Sequence, residues 1–419
     1  MTFCKFSLAD SQVLAPPNFS KMDETSFIEH TDIEFYSSIA DVLDFWDNFV
    51  PEDKLFLRSA YLQALEIAPP QGMQSCYVSF SVEGQTIGIA AFQIQHYRGD
   101  EPFNDEKLAE SANFFQKISV SSQKFITKKI QLNVLVCGSL LLTGEHGFYF
   151  HPKINPQITT QLLHKGIEKA AEELEKQDIQ ISLFMLKDFF EPTQKKISAS
   201  LVEQKFYEFQ AQPTMVLDIP QTWKSFDDYL AAMSSKYRVR ARRAFKKGKD
   251  IVRKELNLNE IEENKQQIFG SYQNVAAKAV FNTFTFTPDY FTELKRQLGD
   301  KFKLIACYIG DKFVGFYTTI QNGHELDAHF LGLDYTVNRD SQLYLNMLYD
   351  MVRIGIDLGV HQITFSRTAL EIKSSIGAVP HDLYLYTRHR SFISNRLVKY
   401  FIEYMVPEEE WTPRSPFKG

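Results

Sequence analysis

One stretch of the chain, Glu325-Leu-Asp-Ala-His-Phe-Leu-Gly-Leu333, alternates as a strand does. Alternation puts Asp327 and His329 on one face and Leu326, Ala328 and Phe330 on the other. An acid beside a histidine can orient and charge-stabilise a general base, or it can be a structural acid–histidine pair. Further along, Thr368-Ala-Leu-Glu371 has the spacing of a capping box, opening a short helix that ends near Gly377 and before Pro380. Arg367, Glu371 and Lys373 then cluster at a helix N-terminus beyond the carboxyl end of a strand, where ligands collect in open α/β sheets. Lys373 suits a phosphate or an oxyanion, and Glu371 suits a base or an ion pair with Arg367.

A second group of residues is set apart by charge. From Lys236 to Lys254 there are ten basic residues and one acid, Asp250, on a chain whose net charge is −6. Basic side chains fall on every side of the expected helix, so they repel one another unless anions neutralise them. Phosphates of a bound partner would do so, with Lys236, Arg238, Arg242 and Lys246 as the favoured grip and arginine forks as its strongest form. The alternative is a solvated helix paired with the acidic remainder. Little continuous apolar face accompanies the cations, which leaves contact with an anionic membrane peripheral. Asn338, Arg339 and Ser341 stand at the mouth of the long helix read from Ser341 to Leu358, a second place for phosphate together with Arg367. Tyr344, on its first turn, could protonate a leaving group or belong to the core.

These residues need elements to hold them, and the chain supplies the same set twice. Cys76–Gln95 reads as a hairpin turning at Glu83-Gly84, and Leu304–Gln321 as another turning at Gly310-Asp311. Each is followed by strand, helix and strand. The first half gives Asn133–Leu142, a helix over about Pro156–Lys176 begun by Asn155-Pro156, and Ile179–Leu186. The second gives Glu325–Leu333, the helix from Ser341 capped by Asp340 or Ser341 and closed by Gly359, and His361–Ser366. A strand–helix–strand unit requires a right-handed crossover and parallel pairing. The fold class is therefore mixed α/β, two copies of one domain in tandem. Residues 1–40 form an extension, 41–212 the first copy and 213–419 the second, with the join near Gln210–Pro213 ahead of a strand at Thr214–Ile219. Helical stretches at Asp41–Glu66, Ser225–Gly248 and Glu260–Ala279 prefix the copies, and Arg98–Lys129 reads as a polar insertion.

Composition excludes several classes. With 419 residues, 44% of them hydrophobic and 23% charged, the chain fills a core and is neither disordered nor fibrous. The longest apolar run, Val134–Leu142, is too short to span a bilayer, and the N-terminus lacks the pattern of a secretory signal. Cys4, Cys76, Cys137 and Cys307 have no paired spacing, so neither a disulfide framework nor a metal site is expected, and the cytoplasm is the expected compartment.

A hairpin followed by strand–helix–strand is the plan of the GNAT-type acyltransferase fold, and tandem copies resemble the Fem-type aminoacyltransferases and their FemAB-like relatives. The likeness rests on Leu55–Leu65, on the basic helix within Phe226–Ala244, on Phe365–Pro380 with Glu371-Ile-Lys373 and Gly377-Ala378, and on the tail Trp411–Lys418. One departure is informative: the loops Asp334–Asp340 and Phe150–Asn155, where acetyl-CoA binders carry glycines, have none. The Fem-type relatives share that absence, and their acyl donors are aminoacyl-tRNAs.

The resemblance implies an N-acyl- or aminoacyltransferase that forms an amide by direct attack on an activated acyl group. The second domain would be catalytic, with Asp327, His329, Glu371, Lys373 and Tyr344 as its chemistry, and the first degenerate. It implies no tightly bound cofactor and no DNA partner. The donor would be a co-substrate: acyl-CoA, acyl carrier protein or aminoacyl-tRNA. The acceptor would be an amine on a cell-envelope precursor or amino-lipid, met in the cytoplasm or at the inner face of the membrane. A non-catalytic protein that recognises a phosphate-bearing precursor is the alternative.

Overall fold

The computed structural model describes residues 24–98, 131–278, 284–398 and 411–418; most of the insertion read at Arg98–Lys129 and much of the N-terminal extension lie outside them. The first half runs β1 (Asp32–Tyr36), α1 (Ser59–Ile67), β2 (Met73–Val82), β3 (Gln85–Arg98), β4 (Gln131–Cys137), β5 (Phe148–Phe150), α2 (Pro156–Glu175), β6 (Leu183–Phe189), α3 (Glu191–Glu203) and β7 (Tyr207–Asp218). The second runs α4 (Phe226–Ala232), α5 (Ser235–Lys247), β8 (Ile251–Glu255), α6 (Leu258–Ala276), α7 (Tyr290–Leu298), β9 (Phe302–Ile309), β10 (Lys312–Asn322), β11 (Glu325–Leu333), α8 (Tyr335–Ser341), α9 (Leu343–Asp357), β12 (Gln362–Thr364), α10 (Leu370–Ser374) and β13 (Val379–His389).

Local chemistry explains the boundaries. Glu83 and Gly84 both take left-handed φ, 51° and 75°, the backbone that a two-residue hairpin demands. At α2, the Asn155 side chain accepts the Gln157 N–H, and Pro156 occupies the first turn. The expected helix from Ser341 begins two residues later, as α9, and a separate helix, α8, precedes it. Gln342 is left-handed at φ 49° and breaks the run, the loop read at Asp334–Asp340 is mostly α8, and Ser341 Oγ donates back to the Val337 carbonyl at 2.8 Å rather than capping. The Ser225–Gly248 stretch also divides, between α4 and α5, because Met233 is extended.

The strands form one mixed sheet in the order β1-β2-β3-β4-β6-β13-β7-β12-β11-β10-β9-β8, with β5 added on β3. Both crossovers give parallel pairs: Val134–Cys137 of β4 lies against Leu183–Leu186 of β6, and Glu325–Asp327 of β11 lies against Gln362–Thr364 of β12. The centre is an exchange. The first half's last strand, β7, pairs with β12 of the second half, while the chain's last strand, β13, pairs with β6 of the first. β7 and β13 pair with each other. β7 runs unbroken through Gln212 and Pro213, where the sequence places the join.

Three main clusters of buried residues cover the sheet. One joins both halves, packing Trp46, Phe56 and Tyr61 with Phe286, Tyr290 and Phe316. A second lies under α2 and α3, and a third under α4, α5 and α9. Each fully buried Phe or Leu contributes about 2 kcal/mol by leaving water. The C-terminal tail straps the third cluster: Ser234 N–H donates to Pro416 O at 2.8 Å, and Phe417 packs beside Trp223 and Tyr229. Gly377 makes room for it, since a Cβ there would lie 2.3 Å from the Phe417 ring.

Candidate active site

Where the exchanged strands meet, the sheet and the first half's loops enclose a cleft of about 670 Å³. Its floor is Glu325 and Asp327 of β11, Gln362 and Thr364 of β12 and Val216 of β7; its walls are Asp53-Lys54, the Thr143–His146 loop, Phe190 and His381. Asp327 is 5% exposed and has no hydrogen-bond partner among the described residues. Burial, and then the neighbouring Glu325 charge, hold its carboxyl well above the usual carboxylate range. Asp327 is also the last residue of β11 paired to β12; beyond it β12 stops at Thr364 and β11 continues to Leu333. The two strands therefore part at this carboxyl.

His329 shares the Asp327 side, but the two are not a hydrogen-bonded dyad. Its Nε2 lies 2.8 Å from Tyr290 Oη, and its Nδ1 is buried without a partner. Burial pushes its imidazole down to about 3, so the ring is neutral. Tyr290 is fixed in turn by stacking on Phe286, centroids 3.8 Å apart. Phe330 corrects the strict alternation. The β10–β11 register slips between Tyr317 and Thr319, and Phe330 packs with the His329 side instead of with Leu326. Thr318 Oγ1 fills this bulge, accepting from Phe330 N–H at 2.9 Å and donating to Phe330 O at 2.8 Å, so that amide is occupied.

The segment around Lys373 is built differently from its sequence reading. No capping box forms: Ser366, Thr368 and Ala369 are all left-handed, and α10 begins at Leu370 without a side-chain cap. Lys373 is buried, and its ammonium braces this strained turn by donating to the carbonyls of Ser366 at 3.3 Å and Arg367 at 2.5 Å. Burial pushes its amine down to about 7. Glu371 pairs with Arg414 of the tail, not with Arg367. Arg367 reaches across the exchange to the buried Asp188, which Lys187 also holds, and donates to Gln212 O at 3.1 Å. Lys187 further donates to Leu142 O at 2.9 Å, so this ionic knot ties the halves together behind the cleft.

The cationic residues lie on the other face of the sheet. Leu326 and Ala328 share a core with Ala241 and Ala244 of α5, whereas Asp327 faces the cleft. The buried stripe on α5 is thus narrow, and the remaining sides carry the charge. Arg238 is a helix cap: its guanidinium donates to Ala231 O at 3.3 Å and Met233 O at 3.2 Å. Lys236 lies 5.8 Å from the Tyr237 ring centroid. Arg242 and Lys246, with Arg240, Arg243 and Lys249, are exposed and form no ion pair among the described residues. Lys247 donates to Arg339 O at 3.5 Å, which brings α8 beside this patch. Asn338 caps α9 by accepting the Tyr344 N–H at 2.9 Å, and Tyr344 packs into the third core, where burial raises its phenol.

Of the residues singled out from sequence, the cleft takes Asp327. It adds residues that the sequence reading did not single out, including His324 and His361, whose rings stack at 4.8 Å. A signal for that pair existed, since each precedes one of two parallel strands. His146 is pushed down to about 4, chiefly by burial. The described cysteines are buried, with thiols driven upward by burial, which leaves no thiolate nucleophile among them. Among the described residues, no group of three or more His, Cys, Asp or Glu is arranged to hold a metal, and no helix is long and apolar enough to cross a membrane.

A family model described as FemAB-like, peptidoglycan biosynthesis/recognition, matches residues 38–338. Among solved structures, FemX is similar over 88% of this chain and 100% of its own, with 11% identity and a TM-score of 0.52. The C-terminal domain of a putative lysylphosphatidylglycerol synthetase from Agrobacterium fabrum is similar over 92% and 98%, with 8% identity and a TM-score of 0.46. A tandem GNAT protein from the clavulanic acid biosynthesis pathway is similar over 86% and 99%, with 10% identity and a TM-score of 0.46. No curated protein matches the chain in sequence. The mixed α/β, tandem GNAT-like fold expected from the sequence is the fold found.

Proposed function

This chain belongs to the FemAB-like family, and we propose that it joins an activated acyl or aminoacyl group to an amine held in the cleft. The observation that carries this reading is Asp327: buried, without a partner, and placed where the β11–β12 seam opens onto the cleft. An acceptor amine arrives as an ammonium ion. Its positive charge favours the ionised form of Asp327, so binding releases the carboxyl proton to water. The carboxylate then takes one proton from the ammonium, freeing the nitrogen lone pair. That lone pair attacks the acyl carbonyl carbon; the new C–N bond forms as the C–O or C–S bond to the donor breaks. The departing oxygen or sulfur carries away the surplus proton from nitrogen.

The donor is a co-substrate that reaches the seam from the opposite face, where exposed Arg242, Lys246 and their neighbours suit the phosphates of an acyl carrier protein, an aminoacyl-tRNA or a coenzyme. The same cations suit peripheral contact with an anionic membrane. In this reading Lys373 and Arg367 act by holding the turn and the halves in place. The test is amide formation from acetyl-CoA, acyl carrier protein and aminoacyl-tRNA donors by wild type and by Asp327→Asn. Turnover that persists in Asp327→Asn sinks the role of this carboxyl. Donor binding without turnover in the wild type would identify a recognition protein instead.

A further inference from the structure

We infer that the acceptor is a dication, an aliphatic diamine-like group whose second cationic nitrogen lies about 7 Å from the one acylated. This rests on the reading of the cleft as the acceptor site. The charge of the lining is one-sided. Asp53, Glu145, Glu325 and Asp327 supply carboxyl groups, against one lysine, Lys54, and four histidines. Glu145 is partly committed, because it accepts the Phe190 N–H at 3.0 Å. Asp53, Glu325 and Asp327 form no ion pair among the described residues. A nucleoside diphosphate or a phospholipid headgroup brought here would meet its own sign of charge from Asp53 and Glu325.

The spacing comes from the strand. Glu325 and Asp327 are two positions apart on β11 and both line the cleft, while Leu326 between them is in the core. A rise of about 3.3 Å per residue sets the carboxylates roughly 7 Å apart, close to the nitrogen separation of an extended four- or five-carbon diamine. Asp327, nearly buried and at the seam, takes the nitrogen that reacts. Glu325, half-buried, with the exposed Asp53, which packs against Gly323 in the turn just before Glu325, holds the one that does not. The Glu325 charge disfavours ionisation of Asp327 while the cleft is empty, and two ammonium groups relieve that opposition. At about 670 Å³ the cleft has room for such an acceptor and the acyl end of a donor.

Calorimetric titration of the full chain at low ionic strength with 1,4-diaminobutane, butylamine and uridine diphosphate tests this. The diamine should bind about tenfold tighter than the monoamine. Glu325→Gln, which also eases ionisation of Asp327, and independently Asp53→Asn on the exposed wall, should each shrink that preference; Asp327→Asn should weaken both amines. Equal affinity for the two amines, or tighter binding of uridine diphosphate, overturns the dication and leaves the acceptor cleft standing if butylamine still depends on Asp327. Absence of amine binding, or binding indifferent to Asp327→Asn, overturns the cleft reading and this inference with it.

Discussion

The cleft and the basic helix handle charge in opposite ways. In the cleft, one carboxyl, Asp327, is withdrawn from water and left without a partner among the described residues. On α5, many cations stand in water on a helix anchored by Ala241 and Ala244, with Tyr237 and Phe245 packed beside them. Burial makes a small number of groups chemically unusual, and exposure makes a large number electrostatically additive but easily screened. A cleft holding a buried acid and a surface rich in cations thus sit on opposite faces of one sheet, separated by the thickness of β11.

The largest effect should come from breaking the buried side. Asp327→Asn is expected to lower kcat/KM by about 10²–10⁴-fold. Its effect on stability has the opposite sign. Because the folded carboxyl titrates above its unfolded value, the folded protein holds the proton more tightly, and stability is lost as pH rises from about 4. The variant should therefore gain thermal stability over wild type at pH 7 and lose that gain near pH 4. Turnover and unfolding curves at both pH values check this; a variant destabilised at pH 7 would show that the carboxyl is paired after all.

Next comes the exposed side. Arg242→Glu with Lys246→Glu should weaken binding of a polyanionic donor about 10–100-fold at low salt, and the deficit should fade as salt rises. Binding of a small amine in the cleft should stay unchanged in this double variant. Equal loss on both faces would mean that the faces are not independent. Donor affinity at two salt concentrations, measured beside butylamine affinity, separates these outcomes.

How far this contrast is legible in the sequence depends on the range of the forces that make it. Strand alternation and turn chemistry are local, so both hairpins and the full span of β11 can be read directly, and Asp327 and His329 fall on one side as expected. Local rules miss what distant partners decide. Phe330 changes face because Thr318 on the neighbouring strand fills a bulge. Arg238 donates to carbonyls at the end of the preceding helix, a partner that local rules do not reveal. The exchange of β7 and β13 leaves no trace in either strand, because each would read the same beside its own half. The cleft gathers Asp53, Thr143, Val216, Asp327 and Thr364, residues far apart along the chain, so no local rule assembles it.

Lys373 sharpens the comparison from within the buried class, since it is a cation where Asp327 is an acid. Its amine is pushed down to about 7 by burial, whereas an unfolded lysine titrates near 10.4. Between those values the unfolded chain binds the extra proton, so stability rises with pH, by at most about 1.4 kcal/mol per unit. Below pH 7 the cost of the buried charge is fully present. Denaturant unfolding from pH 7 to 9.5 should show this slope in wild type and lose that contribution in Lys373→Met. An identical slope in both proteins would mean that the amine is solvated in the folded state.

The smallest effect is expected at Glu371, which the sequence places beside Lys373 as a catalytic candidate. The structure directs it outward, to Arg414 of the tail, with half of its side chain exposed. An exposed pair of this kind is worth about 1 kcal/mol or less, because water solvates both partners well and ordering two long side chains costs entropy. Glu371→Ala should therefore lower stability by no more than that and leave amide formation unchanged, while Asp327→Asn abolishes most of it. Loss of turnover in Glu371→Ala, with the tail still docked through Phe417, would move the chemistry out of the cleft and onto the helix that Lys373 braces.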